Sequence, residues 1–95
     1  MTTVIVSVTV EDLDRFEQTF RTRGYPLRRR HGSTSAVVLH DLADPLALTL
    51  VFRWSSREAF EGFLADPEVQ ASMKASGAVA PPQVRYLEEV LSLDA

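Results

Sequence analysis

Residues Thr3 to Val10 alternate along TVIVSVTV, with Val4, Val6, Val8 and Val10 on one side and Ile5, Ser7 and Thr9 on the other. A period of two in β-branched residues predicts a strand. From Glu11 to Arg23 the period changes. Leu13, Phe16 and Phe20 fall at i, i+3 and i+7, the spacing of one helical face. Asp12 is placed to cap this helix, and Asp14 puts negative charge in its first turn, where the macrodipole favours it. Arg21 and Arg23 sit in the last turn, and Gly24-Tyr25-Pro26 is expected to end the helix.

Leu27 to Ser33 reads as a basic, irregular stretch, followed by a strand to Leu42. Beyond the loop Ala43-Asp44-Pro45, a further strand runs from Leu46 to Trp54. An antiparallel hairpin over that loop sets Leu42 against Leu46 and His40 against Leu48. Ala36, Val38, His40 and Leu42 then share a face with Leu46, Leu48, Leu50, Phe52 and Trp54, and a slip of one residue would overturn this. Ser55-Ser56-Arg57-Glu58 has the spacing of a capping box with Ser55 as the cap. The helix it opens buries Ala59, Phe60, Phe63 and Leu64. Asp66-Pro67 restarts it, with aspartate as cap and proline at the first helical position. Val69 and Met73 carry the apolar stripe on to Gly77. Pro81-Pro82 forces extended chain, and Gln83 to Leu91 is the expected final strand.

The order β-α-β-β-α-β predicts an α+β, ferredoxin-like fold: a four-stranded antiparallel sheet with two helices on one face. The first and third strands are expected in the centre and the others at the edges. Two helices cover one face only. The other still carries Ile5, Val37, Leu39, Val51, Leu87 and Leu91, more contiguous apolar surface than a monomer usually exposes. A homodimer whose sheets pack face to face is the economical expectation.

The chain has 95 residues, 45% hydrophobic and 24% charged, with a net charge of −3. That is one globular domain over residues 1–95, without the basic excess of a nucleic-acid-binding arm. It has no cysteine, which removes disulfides, thiolate nucleophiles and Cys-based metal clusters. No apolar run approaches a membrane span and no leader pattern is visible, so a cytoplasmic location is expected.

His31 and His40 are the only imidazoles. Their spacing suits no compact metal site, and no metal or cofactor is expected. His31 follows Arg28-Arg29-Arg30 and reads as solvated. The arginine run itself would attract an anionic substrate or phosphate, although a solvated loop is the favoured reading. His40 lies on an otherwise apolar strand face and is the best available general base near neutral pH, provided it is buried and neutral. Glu88 and Glu89 alternate across a strand and do not form a carboxylate pair. No G-x-S-x-G elbow or glycine-rich phosphate loop is present. Trp54 and Tyr86 have polar tips suited to a pocket for an aromatic ring, beside Phe63 and Met73 from the helix. Arg53 points away from Trp54 and needs a carboxylate, from the protein or from a ligand.

Phe52-Arg53-Trp54-Ser55-Ser56-Arg57-Glu58-Ala59-Phe60, followed by Phe63-Leu64-Ala65-Asp66-Pro67-Glu68, resembles the dimeric α+β barrel superfamily. Within it, the chain is similar to the antibiotic biosynthesis monooxygenase-like group. The resemblance runs through nearly the whole element order, on a packing-and-capping signature rather than a catalytic one. It implies a small cofactor-independent enzyme acting on an aromatic or polyketide-like molecule, most naturally a monooxygenase. A cyclase or isomerase would use the same pocket, and a non-catalytic ligand-binding or dimerisation module is the alternative from another class. Haem-degrading relatives use an Asn on the first strand and a Trp and a His on the second helix. This chain contains no Asn, and Phe63 and Met73 stand in place of that Trp and His. Other superfamily members carry a first-strand His where this chain has Val8.

Overall fold

The computed structural model describes residues 1–95. Its elements are β1 (Thr2–Thr9), α1 (Leu13–Thr22), α2 (Gly24–His31), β2 (Ser33–His40), β3 (Ala47–Trp54), α3 (Arg57–Ala65), α4 (Pro67–Ala75) and β4 (Gln83–Leu87). The four strands form one antiparallel sheet in the order β2-β3-β1-β4, with β1 and β3 central as expected. This is the ferredoxin-like α+β arrangement, with each of its two helical arms broken into two segments.

Pairing aligns Val4 with Phe52, Val6 with Leu50 and Val8 with Leu48 on the helix-facing side. Ala36, Val38 and His40 join that side opposite Phe52, Leu50 and Leu48, the expected hairpin register. The core is Val4, Val6, Val10, Phe16, Leu48, Leu50, Phe52, Trp54 and Phe60. Aromatic rings dominate it: Trp54 meets Phe60 and Phe63 at centroid distances of 4.9 Å, and Phe16 stacks on Phe20 at 5.3 Å.

Several local expectations are corrected. Leu27 to His31 is helix, not irregular chain. The first helix does end just before Gly24-Tyr25-Pro26, at Thr22, but the tripeptide also starts this second helix. Proline in a first turn lacks only an N–H that would have no intrahelical partner. The helix closes at Gly32, which adopts a left-handed conformation at φ 106°. A Cβ there would also press on the Ser55 hydroxyl. The cap of α3 is Ser56, whose side chain accepts from the Ala59 amide at 3.0 Å, so Ser55 is not the cap and no capping box forms. Strand β2 stops at His40, and Leu42 lies unpaired and exposed in the turn. Strand β4 ends at Leu87, short of Leu91, and residues 88–95 continue without regular structure.

Asp12 and Asp66 cap α1 and α4 as expected. Asp66 also accepts from the His31 ring at 2.8 Å, tying the end of α2 to the α3–α4 break. The His31 hydrogen bond first, then the Glu68 amide, holds the Asp66 carboxyl below its ordinary value. A depressed carboxylate contributes stability that is present above its unfolded value and lost as pH falls through the folded one. Thermal melts of wild type and Asp66→Asn are therefore expected to differ most above pH about 4 and to converge below it. A difference that persisted undiminished well below pH about 3 would show that the Asp66 carboxylate is not the source.

Candidate functional site

Between the sheet and the helical layer lies an apolar cavity of about 90 Å³. Val6, Val8, Leu50, Phe52 and Val84 form its floor, and Phe16, Phe20, Leu27, Phe60, Phe63, Leu64, Val69 and Met73 its roof and walls. The floor follows from the strand period, and the roof from the inward stripe of each helix. Ala78 and Pro82, from the segment leading into β4, also line it.

The polar lining is sparse: Thr19, Arg28, Ser72 and Ser76. Ser72 and Ser76 are both buried, and the Ser76 hydroxyl donates to the Met73 carbonyl at 2.6 Å. Arg28 is only 7% exposed. Its Nη1 donates to the Phe20 carbonyl at 2.9 Å, and its guanidinium lies over the Phe20 ring at 3.7 Å. Burial lowers its pKa to about 10, so it remains a cation at neutral pH. The expectation that the arginine run is solvated therefore fails at Arg28, while Arg29 and Arg30 are exposed. Gly24, Leu27, Arg28 and His31 fall at i, i+3, i+4 and i+7. That helical stripe is the sequence signal that could have found Arg28.

Of the residues singled out from sequence, Phe63 and Met73 line the cavity. Trp54 does not: it is fully buried in the core, and its indole N–H donates to the His31 carbonyl at 2.9 Å. Tyr86 packs edge-on against Phe60 at 6.0 Å, with the Arg57 guanidinium 4.4 Å above its ring. Desolvation, then the negative charge of Glu61, raises the Tyr86 pKa, so its hydroxyl stays protonated at neutral pH. Arg53 is exposed on the opposite side of the sheet, 3.4 Å from Glu89. His40 faces the helical side but sits at the end of an edge strand, exposed and outside the cavity. The expected burial of His40 is therefore corrected: strand parity puts it on the right face, but no helix covers that corner. No three His, Asp or Glu side chains converge in a metal-binding group.

The sequence pattern of the family described as antibiotic biosynthesis monooxygenase matches residues 1–75, which run from β1 to the end of α4. The chain belongs to that family. A solved structure from Bordetella bronchiseptica that carries the family's name superposes with a TM-score of 0.80 at 22% identity, over 95% of this chain and 97% of that one. SnoaB, a cofactor-independent oxygenase from Streptomyces nogalater, superposes with a TM-score of 0.78 at 18% identity, over 99% of this chain and 97% of its own. A Nitrosomonas europaea protein named for the family gives 0.69 at 16% identity, over 96% and 100%. At such identities these antibiotic biosynthesis monooxygenase structures share the fold of this chain. No curated protein matches the sequence. No helix is long and apolar enough to cross a membrane.

Proposed function

We propose that the protein is a small cofactor-independent enzyme acting on an aromatic or polyketide-like molecule, most naturally a monooxygenase, and that it works as a homodimer. The observation that carries this reading is the apolar cavity between sheet and helices in a member of the antibiotic biosynthesis monooxygenase family. An electron-rich phenol held there as its anion would reduce dioxygen itself. One oxygen atom becomes a ring carbonyl, and the other leaves as water with the ring hydrogen and the hydroxyl hydrogen. The protein's part is to orient the ring and exclude solvent, which hydrocarbon walls can do. Phe63 and Met73 would contact the ring. Trp54 and Tyr86 would act from behind the wall.

A ligand-binding module is favoured by a different observation: no imidazole or carboxylate lines the cavity. Oxygen uptake with a panel of polyhydroxyaromatic compounds separates the two readings. Consumption that scales with enzyme and yields a quinone supports the enzyme, whereas tight binding without consumption supports the module. His40→Ala is expected to leave turnover within about twofold, as for a surface site away from the cavity. A general base would instead cost about 10²–10⁴-fold. A loss of that size with an unchanged melt would restore His40 as the base.

A further inference from the structure

We propose that the Arg28 guanidinium is the anion-recognition group of the cavity, selecting a planar apolar molecule that carries an acidic hydroxyl and binding it as its phenolate or enolate. This rests on the cavity being the substrate site, and adds the residue that chooses the substrate and holds its charge. Arg28 is 93% buried on the inner stripe of α2, yet none of the ion pairs in the chain includes it. Its one hydrogen bond, to the Phe20 carbonyl, engages one of the five N–H donors of a guanidinium.

A purely structural role accounts for that one donor and for the stacking on Phe20: together they hold the last turn of α1. It does not account for burying a cation with no carboxylate partner, which apolar side chains of similar volume would replace without that desolvation cost. Gly24 makes room for the guanidinium itself: a Cβ there would come within 2.6 Å of Nη1. Ser72 lines the same cavity, and its hydroxyl is of a kind that can donate to an oxygen. Apart from Thr19 and Ser76 the remaining lining is apolar, so attraction between the guanidinium and a bound anion is weakly screened.

This arrangement changes where ionisation begins. The substrate O–H breaks with its electron pair left on oxygen and its proton passed to solvent water. A cation at hydrogen-bond range lowers the pKa of such a group by about 1–3 units. A phenol or enol can then be held as its anion near neutral pH in a cavity without a protein base.

The test titrates 4-nitrophenol and its neutral analogue 4-nitroanisole into wild type, Arg28→Met and Gly24→Ala, with absorbance followed against pH. Wild type is expected to lower the pKa of bound 4-nitrophenol by about one unit or more, equivalent to at least about tenfold tighter binding of the anion than of the neutral phenol. Arg28→Met should abolish that preference while keeping its affinity for 4-nitroanisole. Gly24→Ala, which keeps the charge but displaces the guanidinium, should reduce the preference part-way. If Arg28→Met does not fold, the wild-type pKa shift and its reduction in Gly24→Ala decide the matter. A bound pKa equal in wild type and Arg28→Met, with 4-nitroanisole still binding, overturns the role of Arg28 and leaves the cavity reading standing. Failure of both probes to bind wild type overturns both.

Discussion

Trp54→Ala is expected to destabilise the fold by about 3–5 kcal/mol, a large share of what holds a domain of this size together. Trp54 has no exposed surface. It meets Phe60 and Phe63 at 4.9 Å and Phe52 at 5.5 Å, so its loss opens a void that three rings would have to close. The substitution also removes the donor to the His31 carbonyl, unlinking the end of α2 from β3. Trp54→Phe separates the two contributions. It keeps most of the ring contact and leaves the carbonyl unpaired, for an expected loss of about 1–3 kcal/mol. Urea unfolding followed by far-UV circular dichroism measures both, since this chain's single tryptophan cannot report on its own removal. A loss below about 1 kcal/mol for Trp54→Ala would mean that the aromatic cluster relaxes freely, contrary to a packed core.

The same residue shows what sequence can and cannot reveal. Alternation put Trp54 on the helix-facing side of β3, and that was correct. Its indole N–H read as a group for a pocket, because its true partner is a backbone carbonyl 23 residues away. No periodicity reports such a contact. His40 illustrates the complementary limit. Parity chooses a face of the sheet, but cover depends on where across the sheet the helices lie, and an edge strand's end escapes them. Arg28 was hidden by composition. Three consecutive arginines after a Gly-Tyr-Pro suggest solvated chain, whereas proline in a first turn is compatible with helix, and a helix turns one of the three inward. The strand order and the hairpin register were legible because alternation, turn position and edge-versus-centre topology all agree. Ser55 and Ser56 differ by one step in sequence, and which one caps is decided by where β3 releases the chain.

Val51→Lys is expected to convert a dimer of about 21 kDa, twice the 10.6 kDa chain, into a folded monomer. On the open side of the sheet, Val37, Val51 and Ile5 lie in one row across β2, β3 and β1. Leu39 and Leu87 extend the row towards opposite corners, while Thr49, Ser7, Gln83, Arg85, Arg53, Thr3 and Ser35 surround it. An apolar diagonal flanked by polar positions is the composition of an interface core and its rim. Past β4, Val90 is 95% exposed and Leu91 and Leu93 are each 72% exposed, so the tail brings further apolar surface that one chain leaves uncovered. Packing two such sheets about a twofold axis would cover both regions. A lysine at the middle of the row would then place an unpaired charge at the centre of that contact. In the free chain Val51 is partly exposed, so the same lysine should leave the monomer's fold intact. Light scattering with a circular dichroism melt reads both properties on one sample. Ending the chain at Leu87 should weaken the dimer in the same direction, through loss of the tail. A wild type that scatters as a monomer at micromolar concentration would refute face-to-face packing. A Val51→Lys protein that stays dimeric would place the contact elsewhere on the molecule.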